Sequence, residues 1–336
     1  MYKIPHRIQT IKNFKGTGGQ VAAVLPIHYS RALLRSFDIL PVEVWGPPQL
    51  RSGKSATHLQ AYICSICHNT LSYLQQGSLD IADIILTPHA CDSLQGLGSL
   101  LLDFIQPYQA VIPLYIPRGK RQTDLEFLAA ELHSIYDRLV DITRCKPSDS
   151  DLNACIDREE KADHLLARLH QQNRYLPLTN GEIYQIIRSR EYLPAEEFIP
   201  IAEETLLLSK DKLRPGIPIL LEGILPEPSD IFETLTEFNA AVVGDDLACC
   251  GRRLYPGSAR QNPFERMAES ILQAPPDPTR GSSLKERRDF LLNMAAERGA
   301  KGLIFYIVKF CEPELFDIPI LRQDLKDAGL ASILIE

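Results

Sequence analysis

Apolar positions along this chain fall in short unbroken runs, and these alternate with segments of helical spacing. "VAAVLPIHY" (21–29), "PVEVWG" (41–46), "IADIIL" (81–86) and "QAVIPLYIP" (109–117) are such runs. Their length and continuity predict strands buried on both faces, as in a parallel sheet. "SRALLRSFDI" (30–39) and "ATHLQAYICSICHNTLSYLQQG" (56–77) predict helices between them, the second stopped by Gly77. A second set of runs begins near 215: "IPILLEGIL" (217–225), "AAVVGDD" (240–246), "KGLIFYIVKF" (301–310) and "ASILIE" (331–336). Helical segments at 230–239, 283–299 and 320–329 separate them, with Ser283 as cap and Gly299 as stop for the middle one. Between the two sets, 123–144, 152–176 and 179–193 read as helices, the last capped by Thr179 or Asn180. The expected architecture is α/β. Two Rossmann/flavodoxin-like parallel-sheet domains, 1–122 and 215–336, flank a mainly helical segment, 123–214. The proline-rich "APPDPTRGSS" (274–283) reads as a surface connection or a lid.

Composition narrows the partners. The chain has 336 residues and a formal net charge of -7, which argues against nucleic acid or an anionic membrane surface. "MYKIPHRIQTIKNFKG" is too polar for a signal peptide, and no apolar run reaches the roughly 18 residues of a membrane span. A cytoplasmic protein is expected. "RSGKSATH" (51–58) has the glycine, lysine and serine of a phosphate loop at Gly53, Lys54 and Ser55. Pro48 stands where that loop needs its first glycine, and proline has no amide to offer a phosphate. An ordinary turn is the better reading, and "GTGGQ" (16–20) likewise reads as a turn into the first strand.

Eight cysteines, Cys64, Cys67, Cys91, Cys145, Cys155, Cys249, Cys250 and Cys311, are too sparse for a disulfide scaffold. Cys91, the Cys249/Cys250 pair and Cys311 each follow a predicted strand, and Cys64 and Cys67 lie on the helix before the Cys91 strand. Parallel α/β sheets gather functional groups beyond the carboxyl ends of their strands. These regions are therefore candidates to meet in one crevice, where thiolates could hold iron. The spacing matches neither a ferredoxin run nor a compact zinc knuckle. For any single cysteine, packing as a small hydrophobe stays open beside ligation. His89 and Asp92 flank Cys91, and "GDDLACCGRR" (244–253) brings Asp245, Asp246, Arg252 and Arg253 to the same mouth. His89 is a candidate proton shuttle. Asp92 could equally be a helix cap and the arginines a solvated rim.

In combination, "PVEVWG", "YICSICHNTLSYLQQGSLDIADIILTPHACDSLQ", "AAVVGDDLACCGRR" and "KGLIFYIVKFCEPELFDIPILRQDLKDAGLASILIE" make the chain resemble the 2-hydroxyacyl-CoA dehydratase and benzoyl-CoA reductase family, on the side of its smaller cluster-binding subunits. The resemblance extends over nearly the whole chain. It implies a [4Fe-4S] cluster held by Cys64, Cys91 and Cys311, with one iron left without a cysteine. It departs from the family at Cys67, at the doubled Cys249/Cys250 and at His89. Extra thiols there could belong to a larger [8Fe-9S] double-cubane cluster or simply fill space.

The resemblance implies removal of water from a 2-hydroxyacyl-CoA. One electron on the thioester carbonyl gives a ketyl radical that expels the 2-hydroxyl. A separate ATP-hydrolysing iron-sulfur activator supplies that electron, so ATP enters only through it. A homologous second subunit, or a second copy in a homodimer, is the lasting partner. Asp92, His89 and Arg252 become candidate catalytic residues, with Arg252 or Arg253 available to a CoA phosphate. Rival readings are an ATP-coupled double-cubane reductase of small molecules, a benzoyl-CoA-reductase-type subunit, and a non-catalytic electron-transfer or structural partner.

Overall fold

The computed structural model describes residues 3–46 and 57–336. Two four-stranded sheets carry the fold, and every strand pairing in them is parallel. The first contains β1 (Gln20–Val24), β2 (Ile39–Glu43), β3 (Ile84–His89) and β4 (Ala110–Tyr115), in the order β2-β1-β3-β4. The second contains β5 (Ile217–Gly223), β6 (Ala240–Leu247), β7 (Gly302–Tyr306) and β8 (Ala331–Ile335), in the order β6-β5-β7-β8. The two orders are the same. In each sheet the first strand lies between the second and the third, so the direction of winding reverses beside it. The crevice outside that reversal point is where such sheets bind ligands.

Helices follow the capping chemistry. α2 (Arg31–Ser36) starts at Ser30, whose side chain accepts from Leu33 N. α7 (Asn180–Ser189) starts at Thr179, and α11 (Leu284–Arg298) at Ser283, each with a reciprocal capping box to the glutamate three residues on. Gly299, at φ 62°, ends α11 in the left-handed region that glycine adopts without strain. α5 (Gln122–Thr143), α6 (Asp149–Gln172) and α8 (Ala195–Leu207) fill the middle of the chain. α6 packs on both α8 and α2, which carries the helical segment onto the first sheet.

Three expectations change. The helix expected over 56–77 is α3 (Ser65–Gln75); Cys64 caps it with extended backbone, and Cys67 N and His68 N close on its carbonyl. Gly77 has φ 76°, so the expected stop holds. A helix outside the strand-by-strand reading, α10 (Pro263–Leu272), turns Phe264, Met267, Ala268, Ile271 and Leu272 into the core of the first sheet beside α5. The 274–283 segment is not a surface lid: Asp277, Thr279 and Arg280 are buried there. "RSGKS" lies outside the described residues. Among those described, no helix is long and apolar enough to cross a membrane.

Candidate functional site

Three helices begin at a cysteine. Cys64 caps α3, Cys91 caps α4 (Asp92–Leu100), and Cys311 caps α12 (Glu312–Leu315). Cys91 follows β3 and Cys311 follows β7, which are equivalent strands of the two sheets. Ser65 N donates to Lys309 O at 3.4 Å, tying the start of α3 to the loop after β7. One turn into α3, Cys67 puts its Sγ 3.7 Å from that of Cys64.

These thiols act on one another. The hydrogen bond with Cys67 lowers the Cys64 thiol to about 7, against its burial. Burial pushes Cys91 up to about 12, and the Cys64 charge adds to it. Cys311 is raised by burial, then by the charges of Glu314, Cys64 and Cys91. Cys67 is raised by its bond to Cys64, by burial and by the charges of Cys64, Cys91 and Cys311. Four thiols from three chain regions therefore share one electrostatic neighbourhood. Cys249 and Cys250 form a pair of their own, with Sγ atoms 3.3 Å apart. After burial, the groups acting most strongly on Cys250 are Cys249, Asp245 and Arg188, none of them in the first set. Cys145 is exposed and Cys155 half-buried.

Among the described residues no three His, Cys, Asp or Glu side chains converge closely enough for a single metal ion. A single zinc site demands that convergence, with each ligand ~2.0–2.3 Å from one centre. An iron-sulfur cubane spreads its thiolates over different irons and does not. Thiols brought together from three chain regions are a donor set that such a group fits.

Behind Cys311 lies a buried charge network. Arg252 donates from Nε to Asp246 at 2.9 Å, from Nη2 to Glu222 at 3.1 Å, and from Nη1 to Glu314. Arg287 donates to Glu222 at 2.6 Å, Glu314 at 2.7 Å and Asp317 at 2.7 Å. Burial raises Glu222, and the neighbouring Glu314 raises it further. Burial opposes ionisation of Glu314 too, but Arg252 and Arg287 outweigh it and hold that carboxyl low. Glu314 N donates to Cys311 O at 3.1 Å, so the network grips the turn that carries this cysteine.

The alternative of a solvated rim for the arginines therefore does not hold. Arg252 is 1% exposed, every nitrogen of its guanidinium is engaged, and a CoA phosphate has no free donor there. Arg253 is buried as well, 2.5 Å from Glu43 on β2 and donating to Cys249 O at 3.3 Å. Asp245 is a hub: it accepts from Tyr184 Oη at 2.7 Å and Gly251 N at 2.7 Å, and His170 Nδ1 lies 3.2 Å away. Asp92 sits in the first turn of α4 with its side chain 91% exposed, 3.6 Å from Arg118, outside the buried set. His89 stacks edge-on against Tyr115 and leans on Gly98, where a Cβ would come 2.5 Å from its Nε2. Both its ring nitrogens are buried without a partner, and burial keeps it below the usual histidine range.

The sequence reading missed Glu222, Glu314, Arg287, Asp277 and His28. His28 stands at the carboxyl end of β1, which was the available signal. Its Nε2 lies 3.1 Å from Asp277 Oδ2, and its Nδ1 is buried without a partner.

Comparison with known proteins finds relatives along nearly the whole chain. A family model described as 2-hydroxyglutaryl-CoA dehydratase, D-component, matches residues 26–336. The chain is 26% identical over 333 residues to the (R)-phenyllactyl-CoA dehydratase beta subunit of Clostridium sporogenes, covering 97% of this chain and 88% of that one. It is 23% identical to the beta subunit of the lactoyl-CoA dehydratase of Anaerotignum propionicum, over 95% of this chain and 87% of the relative. To one of the subunits of the benzoyl-CoA reductase of Thauera aromatica it is 22% identical, over 90% and 82%. By the match across residues 26–336, the chain belongs to the 2-hydroxyglutaryl-CoA dehydratase D-component family.

Proposed function

We propose that this chain is the iron-sulfur component of a 2-hydroxyacyl-CoA dehydratase, with Cys64, Cys91 and Cys311 holding one [4Fe-4S] cluster. The observation that carries the reading is that these three cysteines, each at a helix N-cap position and drawn from both sheet units, share one electrostatic neighbourhood. When bound, the cluster would supply an electron of very low potential to the thioester carbonyl, so that the resulting ketyl can expel the 2-hydroxyl. The chain's own contribution is positional. The amino ends of α3 and α4 face Cys64 and Cys91, where their dipoles favour thiolate over thiol. Glu314 and its two arginines fix the Cys311 turn. Burial of Cys64 and Cys311 keeps water from their thiols.

The electron would come from a separate ATP-hydrolysing activator. The relatives are named as subunits, which supports a homologous second chain as the lasting partner. Exposed Phe316, Ile320, Ile333 and Leu334, around edge strand β8, are apolar in the way such an interface requires.

Anaerobic purification with iron and sulfide analysis tests the assignment. About four irons per chain supports the cubane, and about eight supports the double-cubane reading that the additional buried thiol of Cys67 keeps in view. Cys91→Ser should remove most of the iron while far-UV dichroism stays unchanged. Full iron and an unaltered cluster spectrum in that variant would refute the ligand set.

A further inference from the structure

β6 ends at Leu247, and the chain turns through Ala248, Cys249 and Cys250 into a short helical turn at Gly251–Arg253. Cys249 and Cys250 are each 1% exposed, and their Sγ atoms lie 3.3 Å apart. Adjacent side chains have many rotamer pairs that hold their sulfurs apart, and these two bring them into contact. The backbone beneath them is fixed. Cys249 N donates to Ile224 O at 3.0 Å, and Cys250 N to Leu247 O at 3.0 Å. The pair stands away from the other thiols: Cys64, Cys91 and Cys311 act on Cys67, whereas Cys250 answers to Cys249, Asp245 and Arg188.

Burial and the bond to Cys249 both favour the protonated form of Cys250. Cys250 therefore donates its S–H, and Cys249 Sγ accepts it. The Arg188 guanidinium acts on both sulfurs, and a cation beside a thiol favours attack by sulfur. A disulfide between neighbours is a special case. Their Cα atoms are only about 3.8 Å apart, where an ordinary disulfide spans roughly 4.4–6.8 Å. The small ring is strained, and strained disulfides are the readily reduced ones. Closing it also turns the peptide between the two residues. The carbonyl of that peptide, Cys249 O, accepts from Arg253 Nη1 at 3.3 Å. Arg253 lies 2.5 Å from Glu43 on β2, so this peptide belongs to the join between the two sheet units.

We propose that Cys249 and Cys250 form a reversible disulfide site, closed by a peroxide and reopened by a small dithiol, and that closure loosens the join between the sheet units. Cys249 Sγ attacks one oxygen of hydrogen peroxide, the O–O bond breaks, and a sulfenic acid and one water result. Cys250 Sγ attacks that sulfur, the S–O bond breaks, and the hydroxyl leaves with the thiol proton as a second water. Two thiols and one peroxide thus give one disulfide and two waters. The sulfurs lose two electrons and the peroxide gains them. Hydrogen peroxide is barely larger than water, which suits a pair buried from bulkier oxidants. The loosened turn then admits a dithiol, which returns two electrons by exchange and leaves as its own cyclic disulfide. The site is separate from the cluster ligands proposed above and does not depend on them.

The test treats the folded, full-length, metal-free chain with hydrogen peroxide, removes the peroxide, then unfolds, alkylates and digests with trypsin. Residues 213–252 form one tryptic peptide, because Arg214 precedes a proline, and Cys249 and Cys250 are its only cysteines. That peptide should emerge two hydrogens lighter and unalkylated. Dithiothreitol added before unfolding should restore both alkylation sites. The urea midpoint should fall on oxidation, return with dithiothreitol, and stay in place when Cys250→Ser receives the same peroxide. Full alkylation of both thiols, at a dose that oxidises the exposed Cys145, overturns the site. So does a bond from either cysteine to another peptide, or sulfinic acid in place of the disulfide. A closed disulfide with an unmoved midpoint, or an equal fall in Cys250→Ser, overturns the loosening. The wild-type peptide mass decides even if the serine variant fails to fold.

Discussion

Replacing Arg287 with methionine tests whether the buried charges are a working clamp or incidental pairs. Arg287 is 0% exposed and holds three carboxylates at 2.6–2.7 Å: Glu222 on β5, Glu314 on α12 and Asp317 just before α13 (Ile318–Asp327). Methionine roughly keeps the volume, so packing loss is small beside the electrostatic loss. Removing one partner of a buried ion pair costs about 3–5 kcal/mol, because the other charge is left buried and uncompensated. Two features moderate the figure here. Arg252 still bonds Glu222 and Glu314. Glu222 is already raised by burial and by Glu314, so it can take up a proton and shed its charge.

The pH dependence follows from that direction. A carboxyl raised in the folded state stabilises most when protonated, and its contribution is lost as pH rises through the folded value. The deficit of Arg287→Met relative to wild type should therefore widen from pH 5 to pH 8. Adding Glu222→Gln removes the stranded charge and keeps a hydrogen-bonding side chain. The double variant should recover at least about 1 kcal/mol at pH 8, a coupling of the size expected for groups in one network. Urea denaturation of the metal-free chain, followed by far-UV dichroism under anaerobic conditions, measures both. A loss below about 1 kcal/mol, or a further loss on adding Glu222→Gln, would refute the clamp.

Two other outcomes follow from single groups. Burial raises Asp246 from 3.8 to about 6, against the pull of Arg252; protonation is thus favoured by folding, and the stability of wild type over Asp246→Asn should fall by up to about 3 kcal/mol between pH 4 and 7, then level off. A difference that stays flat or grows with pH would contradict the shift. Alkylation of the folded, metal-free chain, mapped by mass spectrometry, should label the exposed Cys145 first and half-buried Cys155 and Cys91 later, with Cys64, Cys67, Cys249, Cys250 and Cys311 protected until unfolding. Labelling of Cys250 as fast as Cys145 would place that pair elsewhere.

The α/β architecture was legible because parallel strands, buried on both faces, leave continuous apolar runs, and because Thr179, Ser283 and Gly299 mark helix ends chemically. α1 (Arg7–Gly16) was hard to see, since only Thr10 and Ile11 of its ten residues are buried and no apolar stripe stands out. α10 is different: Phe264, Met267, Ala268, Ile271 and Leu272 have helical spacing, and attention to strands passes over them. The cysteines at strand ends were legible by the carboxyl-end rule. The charges behind them were not. Arg287 lies in "SLKERRDFLLNMAAERG", a helix so rich in charge that each charged residue reads as solvent-facing. Only the approach of positions 222, 252, 287 and 314 in space makes it a buried residue. Asp277 was hidden in the same way, because proline and glycine around it signal a loop and loops usually run over the surface.

The repeated strand order explains why such distant charges are needed. Each sheet brings one cysteine to its own reversal point, Cys91 after β3 and Cys311 after β7, and neither sheet alone offers more than a capped helix there. A group held by both, as proposed, would fix the sheets relative to each other, and the protein would have to hold that alignment before the group arrives. Arg253 bonding to Glu43 on β2, and Asp277 bonding to His28 while lying 3.9 Å from Arg252, cross the same divide without any ligand. Carboxylates that bridge the sheets cannot be swapped for apolar contacts without losing direction, since hydrophobic packing tolerates sliding and a charge-assisted hydrogen bond does not. On the proposed iron-sulfur reading, the buried Cys311 and the half-buried Cys91 would then give up their protons to iron between walls already in register.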